Sequence, residues 1–426
     1  MKAKVVEDKR FGERLLVWRL PNGLRLGLVP RRGWTEKFGL VAVRFGSIDT
    51  RFRFGDRLVR LPAGTAHLLE HLLFEQPDNP LSRILAALSI DSNAMTTHTS
   101  TAVEVTTSGD ILQSLEPLAR TLHALRIDSQ RFQNEKSVVL SELHMSAENP
   151  DWLMTNTLMK ALYRSHPVRY DIVGTPSSIR RIRVEHLETA FSAFYHPRNA
   201  VISFSGDIDE DDFAAAVEKA FRGWHTPSRI GEPLRKPEGT PPQHGPIRLT
   251  APMQRQKFAI AYKDLPPRTH RPLIRRLLAA EIALTCLIGP SSQNYQRLYE
   301  RGVIDDSFGA GYMADESFAH AVLGGDSDDA EASAAEVMET LEESARMGIS
   351  EEDFRRLRNR AIGVYIRRLD SPSFVASALA AGLFYGFFYT ETLHFLETIS
   401  RTEVERLARQ LFVPSKRSVV YLLPSR

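Results

Sequence analysis

The residues whose types and spacing could do chemistry lie within Gly64-Thr65-Ala66-His67-Leu68-Leu69-Glu70-His71-Leu72-Leu73-Phe74. Positions i, i+3 and i+4 share one face of a helix, so His67, Glu70 and His71 converge. Leu68, Leu69, Leu72 and Leu73 surround them with apolar surface. Two imidazoles one turn apart can hold one zinc ion. A carboxylate beside them can accept a proton from an attacking water. The bland alternative is a helix with two structural histidines. Random placement of the 13 histidines and 52 acidic residues would give such a pattern in fewer than about 0.05 chains of this kind. Histidines on a leucine-rich surface would also cost free energy unless they found polar partners.

A third ligand is expected from Phe132-Gln133-Asn134-Glu135-Lys136-Ser137-Val138-Val139-Leu140-Ser141-Glu142-Leu143-His144. Glu135 and Glu142 are seven apart and share a helix face, with Val138, Val139 and Leu143 as apolar contacts beside them. Tetrahedral catalytic zinc takes three protein ligands and keeps one open position. His67, His71 and Glu142 are the expected set. Glu135 would act from behind it, orienting a histidine or the ligand carboxylate. Glu70 is the expected base. Pro150 is expected to end the helix.

Other elements must position these groups. The first stretch reads as strands at Leu15–Leu20, Leu24–Pro30 and Phe38–Phe45, punctuated by Pro21-Asn22-Gly23 and Arg31-Arg32-Gly33. Another strand is expected at Thr101–Thr107, helices at 110–125, 129–148 and 184–194, and a strand at Val201–Ser205. Thr226–Pro246 carries six prolines and reads as a semi-rigid linker. It divides the chain into an N-terminal zinc-binding domain, 1–225, and a C-terminal non-catalytic domain, 247–426, with 226–246 between them. The halves echo each other. Val184-Glu185-His186-Leu187 leads to Pro197 and a strand, and Val404-Glu405-Arg406-Leu407 leads to Pro414 and a strand. Duplicated α+β domains are the expectation.

The 426 residues, 42% apolar and 25% charged, suit a globular chain of two or three domains. The net charge of +3 comes from 55 basic and 52 acidic groups mixed along the sequence, unlike the basic stripe of a nucleic-acid binder. Cys286 is the single cysteine, and its apolar neighbours point to packing. Met1–Lys9 lacks the apolar core of a signal peptide. No stretch reaches the ~18–20 apolar residues of a membrane span. A cytoplasmic setting is the expectation.

The inverted order His-x-x-Glu-His is the inverzincin signature. With Glu142 standing 71 residues after His71 and seven after Glu135, the chain resembles the family of pitrilysin, insulin-degrading enzyme and mitochondrial processing peptidase, and within it the short bacterial processing peptidases. Ser92-Asn93-Ala94-Met95-Thr96-Thr97, His166-Pro167, Ile172-Val173-Gly174-Thr175 and Phe194-Tyr195-His196-Pro197-Arg198-Asn199 are similar to family stretches. The resemblance implies two homologous α+β domains, each a mixed β-sheet flanked by helices. Together they would form half of a clamshell completed by a second chain. It implies a zinc metalloendopeptidase in which Asn93, Ala94, Met95 and Thr96 belong to an edge strand that binds an extended peptide. It also implies an arginine and, seven residues later, a tyrosine in the C-terminal domain; here Tyr299 and Asp306 fall at those positions. Arg301 and Tyr312 are near but wrongly spaced, and Val364 falls where a second ligand glutamate would stand. The expectation is a metal-holding subunit whose partner supplies the missing pair, with a homodimer as the alternative. A non-catalytic assembly subunit is the rival from another class, and the intact His67, Glu70, His71 and Glu142 argue against it.

Overall fold

The computed structural model describes residues 2–8, 10–74 and 80–425. They form two compact units, each a mixed sheet with helices packed on it. The first unit holds a seven-stranded sheet. Its strands run in the order Lys4–Asp8, Glu13–Arg19, Arg25–Pro30, Ala200–Gly206, Lys37–Val43, Thr101–Thr107, Asp91–Thr96. Arg25–Pro30 and Ala200–Gly206 are parallel, and the other neighbours are antiparallel. Asp91–Thr96 is therefore an edge, with one row of backbone groups unpaired by the sheet.

The second unit holds five strands in the order Ile247–Ala251, Arg417–Pro424, Gln256–Asp264, Ala319–Ser327, Gly309–Ala314. The first two are parallel and the rest antiparallel. This repeats, in the same chain order and the same senses, the last five strands of the first unit. The repeated helix-proline-strand grammar of the sequence corresponds to Val184–Phe194 before Ala200–Gly206 and Arg401–Leu411 before Arg417–Pro424.

The units are interleaved along the chain and are not divided at one linker. The first takes residues 1–143, 171–234 and 366–390, and the second takes 144–170, 235–365 and 391–426. Alternation along the strands shows why. In the first sheet Ser203 faces the helix Pro372–Tyr385, donating from Oγ to Ala376 O at 2.7 Å. Phe204, pointing the opposite way, packs on Phe213 of the helix Glu210–Phe221. Gly27 has no side chain because Leu379 occupies that space: an added Cβ would lie 2.6 Å from Leu379 Cδ2. In the second sheet, Phe258, Ile260 and Tyr262 join the apolar core. Lys257 and Lys263 point the other way, and Lys257 meets Asp151 of the helix Pro150–Leu162 at 2.9 Å. Each sheet is thus covered on one face by a helix from the other half of the sequence. Pro150 does not simply stop the preceding helix. It occupies the first turn of this one, capped by Asn149.

The proline-rich stretch is tethered. Gly231–Pro233 pairs with Arg51–Phe54 in a small sheet completed by Arg57–Arg60. Further on, Glu238 accepts from the backbone N–H of Arg164, Ser165 and His166 and from Lys263 Nζ. Among the described residues no single helix is long and apolar enough to cross a membrane.

Candidate metal centre

The helix Thr65–Phe74 carries the histidines. Leu68, Leu69, Leu72 and Leu73 are fully buried and fix its rotation. It begins beside Gly64, whose φ of +86° suits glycine, and an added Cβ there would meet Val173 O at 2.3 Å. The helix Ser129–Ala147 starts where Asp128 Oδ1 accepts from Arg131 N at 2.9 Å. It docks through Phe132, Val139 and Leu143, while Val138, expected as a contact, is 46% exposed. Arg131 Nη2 also donates to His71 O at 3.3 Å, tying the two helices.

The docking brings His67, His71 and Glu142 together, with one ligand atom of each within 4.8 Å of the others. Glu142 Oε1 lies 3.6 Å from His71 Nε2, and Glu142 Oε2 lies 4.0 Å from His67 Nε2. Donors bonded to one tetrahedral zinc at ~2.0–2.1 Å would stand about 3.3 Å apart, so binding one ion would draw the three groups inward and turn one Glu142 oxygen toward both rings. His71 Nδ1 is 3.2 Å from Glu135 Oε2. An ionised carboxylate only accepts, so the ring donates from Nδ1 and turns the Nε2 lone pair toward Glu142. His67 Nδ1 is buried and has no hydrogen-bond partner among the described residues. Burial first, and the neighbouring His71 second, push the His67 imidazole down to about 4. It is neutral near pH 7, the form that binds a metal. Two imidazole Nε2 atoms facing one carboxylate suit a cation.

Glu70 is buried. Desolvation raises its carboxyl above the usual range, against the Thr96 hydrogen bond that lowers it. Thr96 Oγ1 donates to Glu70 Oε2 at 2.6 Å. Thr96 is the last residue of the edge strand Asp91–Thr96, on which Asn93 and Met95 are exposed and Ala94 half-buried. The strand that carries the expected peptide-binding residues therefore ends on the expected base. The sequence offered no signal for this contact, since a hydroxyl gives no clue to a partner 26 residues away.

In the second unit, Tyr299 is 43% exposed and stacks on Tyr295. Tyr312 OH donates to Asp264 at 2.7 Å, and Asp264 also takes both arms of Arg276. Arg301 is paired with Glu336. Neither Arg301 nor Tyr312 is idle. Val364 is 37% exposed on the helix Glu351–Arg368.

Residues 61–176 match the model of the insulinase family, peptidase family M16, and residues 181–361 match the model of the peptidase M16 inactive domain. The chain is 27% identical to an uncharacterized zinc protease, YmfH, of Bacillus subtilis, over 99% of both chains. It is 24% identical to the zinc protease PqqE of Helicobacter pylori, over 95% of this chain and 92% of that one. A crystal structure of a putative M16-like peptidase from Alicyclobacillus acidocaldarius superposes with a TM-score of 0.94 at 28% identity, covering 99% of this chain and 100% of the other.

Proposed function

The chain belongs to the insulinase family of peptidases, M16, and we propose that it is a zinc metalloendopeptidase acting on peptides bound in extended form. One observation carries the reading: a His-His-Glu ligand group lies beside a buried glutamate that is hydrogen-bonded to the end of a sheet-edge strand. His67, His71 and Glu142 would hold the ion, and Glu135 would fix the His71 ring. Zinc, when bound there, supplies the Lewis acidity that brings a water's pKa toward neutrality. Thr96 holds Glu70 Oε2, leaving Oε1 to take a proton and pass it to the departing amine. A carboxyl raised by burial both accepts and returns a proton more readily near neutral pH. Asn93, Ala94, Met95 and Thr96 would present backbone groups to the peptide, which would pair as an added strand.

The chain would be the metal-holding subunit of a heterodimer. Arg301 and Tyr312 are engaged elsewhere, which supports a partner that supplies the arginine and tyrosine. The single cysteine suits a cytoplasmic setting.

Glu70→Gln tests the core of this reading. It should retain zinc at the native stoichiometry by metal analysis. Cleavage of a peptide library should fall by roughly 10²- to 10⁴-fold, the usual share of a general base. Full activity in that variant would remove Glu70 from the mechanism.

A further inference from the structure

The strands Arg51–Phe54 and Arg57–Arg60 form a hairpin that the chemistry above does not use. Its register sets Arg51 opposite Arg60, Phe52 opposite Val59 and Arg53 opposite Leu58. Alternation then divides the hairpin into two faces. Phe52, fully buried, turns inward and packs edge-on against Phe194 at 4.8 Å. Arg51, Arg53 and Arg60 share the outward face with Leu58 and with Glu232, which the third strand of the small sheet sets opposite Arg53, and all five are exposed. None of these arginines, nor Arg57 at the turn, has an ion pair or side-chain hydrogen bond among the described residues. Elsewhere in this chain many exposed arginines are paired, as Arg248 is with Glu331 and Arg255 with Asp305.

Residues 51–60 hold four arginines against Asp56, and Glu232 of the third strand leaves the small sheet with a net charge of +2. Like charges placed directly across two strands destabilise the pairing. Arg51 opposite Arg60 is such a pair, and an anionic ligand would relieve it. The root of the hairpin also lies beside the substrate strand. Leu61 N donates to Thr50 O at 2.8 Å and closes the hairpin. Just before it, Ser47 N donates to Thr97 O at 3.0 Å and Ile48 N to His98 O at 3.1 Å. Thr97 directly follows Thr96, which holds Glu70.

We propose that the outward face of Arg51–Arg60 recognises acidic side chains in the peptide substrate, on the flank that extends past Thr96. The assignment rests on the peptidase reading and names the substrate class: peptides with a cluster of Asp or Glu beside the segment that pairs with Asp91–Thr96. Guanidinium groups suit carboxylates, which they grip with two parallel hydrogen bonds. Charges at the rim of a binding site act mainly on capture and on its salt dependence.

The test uses two labelled peptides with one shared core, flanked by Asp and Glu in one and by Ser and Gln in the other. Binding is read by fluorescence anisotropy on the full chain bearing Glu70→Gln, and cleavage is read on the chain with Glu70 intact. The acidic peptide should bind roughly fivefold to tenfold tighter at low salt, since exposed ion pairs are individually weak. The preference should vanish at about 0.5 M salt. Adding R51Q, R53Q and R60Q should bring the ratio close to one, whereas R51K, R53K and R60K should keep most of it. Equal binding of the two peptides overturns the proposal, as does a preference that survives the triple glutamine change. So does a charge-dependent affinity for phosphatidylserine vesicles with none for the acidic peptide. A binding preference without cleavage of either peptide, by the zinc-loaded chain alone or with its partner subunit added, would instead sink the peptidase reading and leave the assignment of the hairpin standing.

Discussion

Thr96 ties the proposed base to the strand proposed to carry substrate, through one hydrogen bond of 2.6 Å to Glu70. Misplacing a reacting group by about an ångström can cost ~10²-fold. Thr96→Val is therefore expected to lower kcat roughly 10- to 100-fold with little change in KM, and Thr96→Ser to recover most of it; steady-state kinetics on a fluorogenic peptide decides. A KM-only effect would make Thr96 a substrate contact instead. Glu142→Gln should weaken zinc binding, read by chelator competition, and normal retention would remove Glu142 from the ligand set. Glu135→Gln should cost roughly 10- to 100-fold in zinc affinity, through the loosened His71 ring. That His67 and His71 share one helix face, and Glu135 and Glu142 another, was legible in the sequence because helix periodicity turns spacings of four and seven into proximity. The Thr96 contact was not, because it joins a strand end to a helix across the fold.

At the scale of elements, the proline-rich stretch is held by Glu238. Burial alone would raise this carboxyl, but Lys263 and the N–H groups of Arg164, Ser165 and His166 bring it down to about 2. Lys263 is itself fully buried. The folded pKa lies below the ordinary 4.5, so the stabilisation is present above that value and is lost as pH falls toward 2. Glu238→Ala should leave Lys263 uncompensated and cost about 3–5 kcal/mol. Its unfolding should also lose the part of the acid dependence that Glu238 contributes between pH 4.5 and 2. Denaturant melts at pH 5 and pH 3 test both expectations, and an unchanged acid profile would show that Glu238 is not the anchor. Alternation and turn residues located the strands and helices closely. The prolines were read as a spacer because a single half-buried carboxylate contact leaves no periodic trace.

For the whole molecule, the proposed pairing predicts a division of labour. Expressed alone, the chain should carry about one zinc per chain, the content expected of a single ligand set, yet cleave slowly. A partner from the same genome should raise its activity. Full activity of the isolated chain would remove the partner from the proposal. The duplication could be read from the repeated helix-proline-strand pattern. The exchange of Pro150–Leu162 and Pro372–Tyr385 between the sheets could not, because an apolar helix face does not say which sheet it will cover. That exchange bears on how the chain is made. The sheet carrying the zinc motif is complete in sequence by Gly206, but the helix that covers one of its faces is not synthesised until Tyr385. At ribosomal speed the delay is on the order of ten seconds or more. Throughout it Gly27, Ser203 and the apolar surface around them await a helix not yet translated, so the nascent first half depends on whatever shields exposed apolar surface at the ribosome exit.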